Sequence, residues 1–276
     1  MACEQFKVSK FDDFSILVHT LTNDYKPFTL IPNESNLMIK YILENSDIHA
    51  LVKLGPQNLL KVINFKDLLA MASSLRLNSK NDERWISALT QVRPIAALAG
   101  IELIDSMRIP IKGLNQQQGD QVLTFYFSQI LRSKVWILDY RSNSWQLLPD
   151  NGFAWNPRRI FYEPSELFLQ GIQKLYGGFY ENKPSLFQEG LQILGLEAAA
   201  KALQAHFGTG DKRHVQFSLS VLQRTFVQVF DDCAQANAKI HPEFSVFGIG
   251  LLALYQSLEE SKLCFDVRSA FERAST

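Results

Sequence analysis

Lys134-VWILDYRSNSWQLLPDNGFAWNPRRIFYE-Pro164 is the stretch on which the reading of this chain turns. Residues 135–140 and 145–148 are apolar and rich in strand formers, and the polar Arg141-Ser142-Asn143-Ser144 between them predicts a strand pair about a turn. Asn156-Pro157-Arg158-Arg159 ends that character, and from Pro164 onward apolar residues recur at helical spacing. The stretch therefore divides the chain into a mixed part, residues 1–160, and a helical part, residues 161–276. No Pro/Ser/Gly-rich linker separates the two, so one continuous fold stands beside two domains as a reading.

Upstream of this stretch, short strands and helices alternate. Residues 28–32 read as a strand and 33–44 as a helix opening at Asn33 or Ser35. Residues 49–54 and 59–64 flank Gly55-Pro56-Gln57-Asn58 and predict a second hairpin. Leu68, Leu69, Met71, Ala72 and Leu75 give 65–75 a helical face, and 81–99 reads as helix on either side of Pro94, which should end or bend it. Residues 107–111 suit a short edge strand, since Pro110 lacks a donor. Residues 116–132 form a helix with Val122, Phe125, Phe127, Ile130 and Leu131 on its apolar face. Two hairpins among helices predict an α+β fold with a small, mainly antiparallel sheet.

Downstream, Pro164 suits a first helical position, with Leu167, Phe168, Ile172 and Leu175 following and Gly177-Gly178 as the expected stop. Pro184 opens another helix that ends near Gly195. The two segments echo one another in sequence, as a short repeat or as shared helix-start chemistry. Residues 197–207 form an Ala-rich helix closed by Gly208-Thr209-Gly210, and Asp211 caps a long helix with Val215, Leu219, Leu222, Phe226 and Cys233 along one stripe. His241-Pro242 breaks the pattern. Residues 244–263 are apolar nearly all round and predict the central helix of an all-α bundle, with 266–274 closing the chain.

Composition bounds the function classes. The chain has 276 residues, 46% hydrophobic and 20% charged, long enough for a substantial core without disulfide or metal support. Twenty Phe residues point to bulky packing between helices and sheet. With 28 basic and 28 acidic side chains the net charge is zero, which argues against nucleic acid as the partner. The odd set Cys3, Cys233 and Cys264 has no CxxC spacing and fits a reducing compartment. The N-terminal residues carry no legible signal sequence, and the longest apolar run, 246–255, is about half of the ~20 residues a bilayer span needs. These features predict a cytoplasmic location.

Among candidate sites, the strongest is an aromatic and basic cluster: Tyr140, Arg141, Trp145, Trp155, Arg158, Arg159 and Tyr162. Flat rings beside guanidinium forks can stack on a ligand and grip a phosphate or carboxylate. The same residues also suit a structural role, with Trp136 and Trp145 paired across the hairpin and the arginines tying the two parts together through carboxylates. His206, His214, Asp231, Asp232, His241 and Glu243 are the nearest approach to a metal or acid–base set, but they lack Glu-x-x-His, His-Glu-x-x-His or His-x-His spacing, so no metal is predicted. There is no Gly-x-Ser-x-Gly elbow, Cys233 and Cys264 fall in apolar helical patterns, and Gly208-Thr209-Gly210 is followed by an acid that would repel phosphate. Phe244, Phe247, Ile249, Leu251, Leu252, Leu254 and Tyr255, with Gly248 and Gly250, suit either a bundle core or the wall of an apolar pocket.

The expectation is therefore a non-enzymatic binding or adaptor protein with a protein partner, no catalytic residues, no cofactor and no membrane span. The alternative is an enzyme or carrier for a small, partly apolar anionic ligand held between the two parts by Arg158 or Arg159.

Overall fold

The computed structural model describes residues 59–105, 110–207 and 214–276, which belong to one unit of the chain. The strands expected at 28–32 and 49–54 and the helix at 33–44 lie outside the described residues. So do Gly208-Thr209-Gly210 and Asp211.

The described chain opens with a single helical turn, α1 (Leu59–Val62), then α2 (Phe65–Lys80) and α3 (Asp82–Leu98). Residues 59–64 were expected as a strand. Instead the Lys61 and Val62 carbonyls are taken by Lys239 Nζ at 2.6 Å and the Ile240 N–H at 3.1 Å, and Asn64 caps α2 through the Lys66 N–H at 2.9 Å. Asn81 ends α2 and caps α3. Pro94 neither ends nor divides α3. It lies on the exposed face, as does Thr90, so the carbonyl that Pro94 leaves unmet can be hydrated.

Next come β1 (Glu102–Leu103), α4 (Gln116–Arg132), β2 (Trp136–Ile137), a 3-10 turn at Ser142–Ser144, β3 (Trp145–Leu147), β4 (Phe153–Trp155) and β5 (Phe161–Tyr162). The helix expected at 116–132 is present with those bounds, and Asn115 and Gln118 cap it reciprocally. The strand pairing differs from the expectation. Segments 135–140 and 145–148 do not form a hairpin with each other: β2 pairs antiparallel with β5, and β3 pairs antiparallel with β4. The hairpin turn is Pro149-Asp150-Asn151-Gly152, where Asn151 takes a left-handed φ of 64° and Leu148 N–H reaches the Gly152 carbonyl at 2.9 Å. β1 adds to β4 in parallel, which makes a mixed sheet of order β1-β4-β3. Pro110 makes only an isolated bridge to Gln146.

The chain continues through α5 (Glu166–Tyr180), α6 (Pro184–Leu194), a 3-10 turn at Glu197–Ala199, α7 (Ala200–Phe207), β6 (His214–Gln216), α8 (Leu219–Gln235), α9 (Phe244–Ser261), β7 (Cys264–Asp266) and α10 (Val267–Ser275). The fold is mixed α and β with a largely helical C-terminal part. That part is not all-α, because β6 and β7 form an antiparallel pair and Val215 belongs to a strand. Nor does α8 begin at Asp211: its first described N–H, of Leu219, is capped from α9 by Glu259 Oε1 at 3.0 Å.

Gly177-Gly178 does not stop α5, and Gly178 serves packing instead. A Cβ at Gly178 would stand 2.2 Å from the Phe187 backbone nitrogen, and one at Gly190 would stand 2.5 Å from that of Leu175, so α5 and α6 lie backbone to backbone. One apolar cluster runs from Val62 to Ala274. Helix α4 crosses the sequence seam at residue 160, since its Gly119 lies under the Phe265 ring of β7 and its Phe127 ring is 5.5 Å from Phe271 of α10. Gly190→Ala and Gly178→Ala should each lower stability by about 1–3 kcal/mol or more through overpacking. Gly177→Ala, with Leu186 at a comfortable 3.7 Å, should be neutral or gain up to about 1 kcal/mol of helix propensity. Urea unfolding midpoints of the three variants test this contrast.

Candidate functional site

The deciding stretch is organised by a residue that the sequence reading passed over. Asp139 follows β2, and its side chain is wholly buried. Its Oδ1 accepts from Arg141 Nε at 2.6 Å and lies 2.5 Å from Nη2 of the same guanidinium as an ion pair, and its Oδ2 accepts from the Ser144 hydroxyl at 2.6 Å and the Arg158 N–H at 2.8 Å. With donors on both oxygens, the group sits there as a carboxylate. Burial pushes its pKa up from the ordinary carboxylate value, while Arg141 and Ser144 pull it back. A lone acid inside the apolar run Val-Trp-Ile-Leu-Asp-Tyr was the signal available in the sequence.

The expected aromatic and basic cluster divides into two layers around this carboxylate. Tyr140, Trp145 and Trp155 are interior. Trp145 and Trp155 face each other in register across β3 and β4 and stack at 5.6 Å, and Tyr140 stacks on Trp155 at 6.1 Å. Trp136 does not pair with Trp145, but lies 5.9 Å from Phe168 and 6.2 Å from Phe247. The indole N–H groups of Trp155 and Trp145 are spent internally, Trp155 donating to the Asp139 carbonyl at 2.9 Å and Trp145 to the Tyr140 carbonyl at 3.0 Å and Ser257 Oγ at 3.1 Å, whereas the buried Trp136 N–H has no hydrogen-bond partner among the described residues. Gln129 of α4 serves as a strand partner for β2, accepting the Ile137 N–H at 2.9 Å and donating to the Ile137 carbonyl at 3.2 Å.

The second layer meets solvent. The Arg141 side chain is mostly covered, whereas those of Arg158 and Arg159 are each 49% exposed. Arg159 pairs with Asp82, and Arg84 with Glu163 at 2.8 Å, so two exposed ion pairs of opposite sense join the first turn of α3 to the 158–163 segment. Tyr162 is partly buried beside them. Burial first, and then the charge and hydrogen bond of Glu243, raise the pKa of its phenol.

A different group of polar residues gathers around two small cavities. A cavity of about 40 Å3 is lined in part by Tyr126, Tyr176, Tyr180, His206, Phe207 and Tyr255. A neighbouring one of about 20 Å3 shares Tyr176, His206, Phe207 and Leu251 as its wall. Phe244 and Phe247 face the smaller cavity, Leu254 and Tyr255 the larger one, and Leu251 both. The Thr225 hydroxyl donates to the Val221 carbonyl at 3.1 Å, so at 3.0 Å it accepts from His206 Nδ1–H. His206 Nε2 then accepts the Tyr255 hydroxyl at 2.9 Å. Burial lowers the His206 pKa to about 4.

The remaining acid–base candidates are dispersed. His214 is exposed on β6, while His241 packs against Phe168 at 5.0 Å, its pKa lowered chiefly by burial. Asp232 accepts from Gln228 at 2.7 Å, and Glu243 accepts the Ser165 N–H at 2.9 Å. Cys233 is buried, which pushes its thiol up to about 11 and makes it a poor nucleophile. Among the described residues no three His, Cys, Asp or Glu side chains gather to hold a metal ion, and no helix is long and apolar enough to cross a membrane. No protein-family model matches this chain, and neither does any curated protein.

Removing one partner of a buried ion pair strands the other, so Asp139→Ala should cost about 3–5 kcal/mol in chemical denaturation. Asp82→Ala, at an exposed pair, should cost less than about 1 kcal/mol. The His206 ring is neutral when folded, and the unfolded chain takes up its proton near pH 6.5. Stability from this group is therefore complete above pH 6.5 and is lost as the pH falls toward about 4, by at most about 3 kcal/mol. His206→Gln should flatten the pH dependence of the melting temperature in that window, leaving the smaller slope from His241.

Proposed function

We propose that this protein is a non-enzymatic cytoplasmic binding or adaptor protein, and that its docking surface for a protein partner is built from Arg84, Arg158, Arg159 and Tyr162. The observation that carries this reading is the half-exposed guanidinium set at the first turn of α3 and the 158–163 segment. Arginine and tyrosine are enriched at the energetic centres of protein interfaces, tyrosine for its large, rigid contact area and arginine for its planar fork of hydrogen-bond donors.

The surface alternates in sign, since Asp82 and Glu163 stand among the arginines. Such a pattern suits a partner with both charges better than a small anion, for which the nearby carboxylates would compete. The alternative, a carrier or enzyme that grips a small anionic ligand with Arg158 or Arg159, draws on the same exposed side chains and is separated by experiment.

Protein purified from its own host and examined by native mass spectrometry should retain a stoichiometric protein partner. Arg84→Ala with Arg159→Ala should weaken that complex at least about tenfold. The melting temperature should stay within about 3 °C, since exposed ion pairs contribute little. A co-purifying small anion, or a complex that survives both substitutions, would overturn the adaptor reading.

A further inference from the structure

The hydroxyls of Tyr126 and Tyr176 are both buried and 2.9 Å apart. Between them they carry two O–H hydrogens, and their mutual bond uses one. Neither hydroxyl has another partner among the described residues, so one donor is left over at the wall of the 40 Å3 cavity that both residues line. A buried donor without an acceptor is costly, and such a group marks a place where a water or ligand oxygen belongs. The Tyr180 and Tyr255 hydroxyls line the same cavity, but among the described residues no hydrogen bond joins either of them to the pair, and the Tyr255 hydroxyl is bonded to His206 Nε2.

The second observation concerns Phe207. It is partly buried, in the last turn of α7, and its ring sits 5.3 Å from Tyr176 and 5.0 Å from Phe179, between the two cavities. The last residues of a helix are held by fewer backbone bonds than its interior. As they stand, the larger cavity has room for one or two waters and the smaller for about one. With the space of the Phe207 ring added, they approach the roughly 150 Å3 that accepts a single aromatic ring.

We propose that the two cavities are lobes of one binding site for a small neutral molecule bearing an aromatic ring and a carbonyl oxygen. The ring takes the place of the Phe207 ring among Tyr176, Phe179 and His206, and the oxygen accepts the hydrogen left over by the Tyr126–Tyr176 pair. Neutrality follows from the walls, whose phenols and imidazole offer donors and apolar faces without a formal charge. Arg268, the nearest cation to Tyr180, is committed to the Tyr180 carbonyl at 2.7 Å. The site is separate from the arginine surface and stands or falls independently of it.

The test compares acetophenone with ethylbenzene, which match in shape and differ in the acceptor oxygen. Titrated into the full-length protein and followed through the Leu251 and Val267 methyl resonances, acetophenone should bind about tenfold more tightly. Tyr126→Phe with Tyr176→Phe should abolish that preference while ethylbenzene binding persists, and Leu251→Phe should block both. The proposal is overturned if neither probe shifts those methyls up to its solubility limit, or if wild-type protein binds both equally. It is also overturned if the double variant keeps the preference, and a double variant that fails to fold leaves the wild-type comparison decisive.

Discussion

The buried carboxylate of Asp139 is the interaction on which the central part of this protein depends. A charge removed from water is tolerated only where donors replace the lost hydration, and here the side chain collects an arginine, a hydroxyl and a backbone N–H. Those donors come from Arg141, Ser144 and Arg158, so one carboxylate pins the end of β2, the 3-10 turn and the segment after β4. Its own backbone carbonyl receives the Trp155 indole. The polar turn expected to close a hairpin is thereby drawn inward, and the strands on either side are free to find other partners.

Around this node the interior is built from rings. Tyr140, Trp145 and Trp155 stack beneath the carboxylate, and α4 contributes Phe125 at 4.9 Å from Trp155 in an edge-on contact. Edge and offset contacts of this kind add to the area they bury. The same helix reaches the C-terminal elements through Phe127 and Phe271, and the Tyr126 ring lies 6.4 Å from Tyr176 of α5. The indole N–H groups of Trp145 and Trp155 are paired within this interior, whereas the leftover hydrogen of the Tyr126–Tyr176 pair lies at the wall of a cavity.

The contrast between the two candidate sites is instructive about chemistry. At the surface, Arg158 and Arg159 keep half of their side chains in water and meet acids of opposite sign, an arrangement suited to a large, reversible contact. Beside Phe207 the groups are neutral and the walls mostly apolar, an arrangement suited to a small molecule recognised by shape and one hydrogen bond. The first site draws on Arg158, Arg159 and Tyr162, which the sequence brings close together, and on Arg84 of α3, which it does not. The second draws on Tyr126, Tyr176, His206 and Tyr255, spread over four helices.

By itself the sequence determined the local elements whose signals lie within a turn or two of chain. These include the helix of residues 116–132, the helix opened by Pro184 and closed near Gly195, and the apolar helix beginning at Phe244. Caps and apolar periodicity act between residues three or four positions apart, so they can be read without knowing what packs where. Tertiary structure alone decided which strands pair, that residues 59–62 coil rather than extend, that Gly178 continues a helix, and that a strand at 214–216 meets one at 264–266. It also moved Tyr140, Trp145 and Trp155 from a candidate surface into the core. Each of these outcomes depends on a partner distant in sequence, such as Lys239 for Lys61, Phe187 for Gly178 or Trp155 for Trp145. Sequence spacing carries no record of such a partner, because burial and hydrogen-bond satisfaction are settled only when the whole core closes.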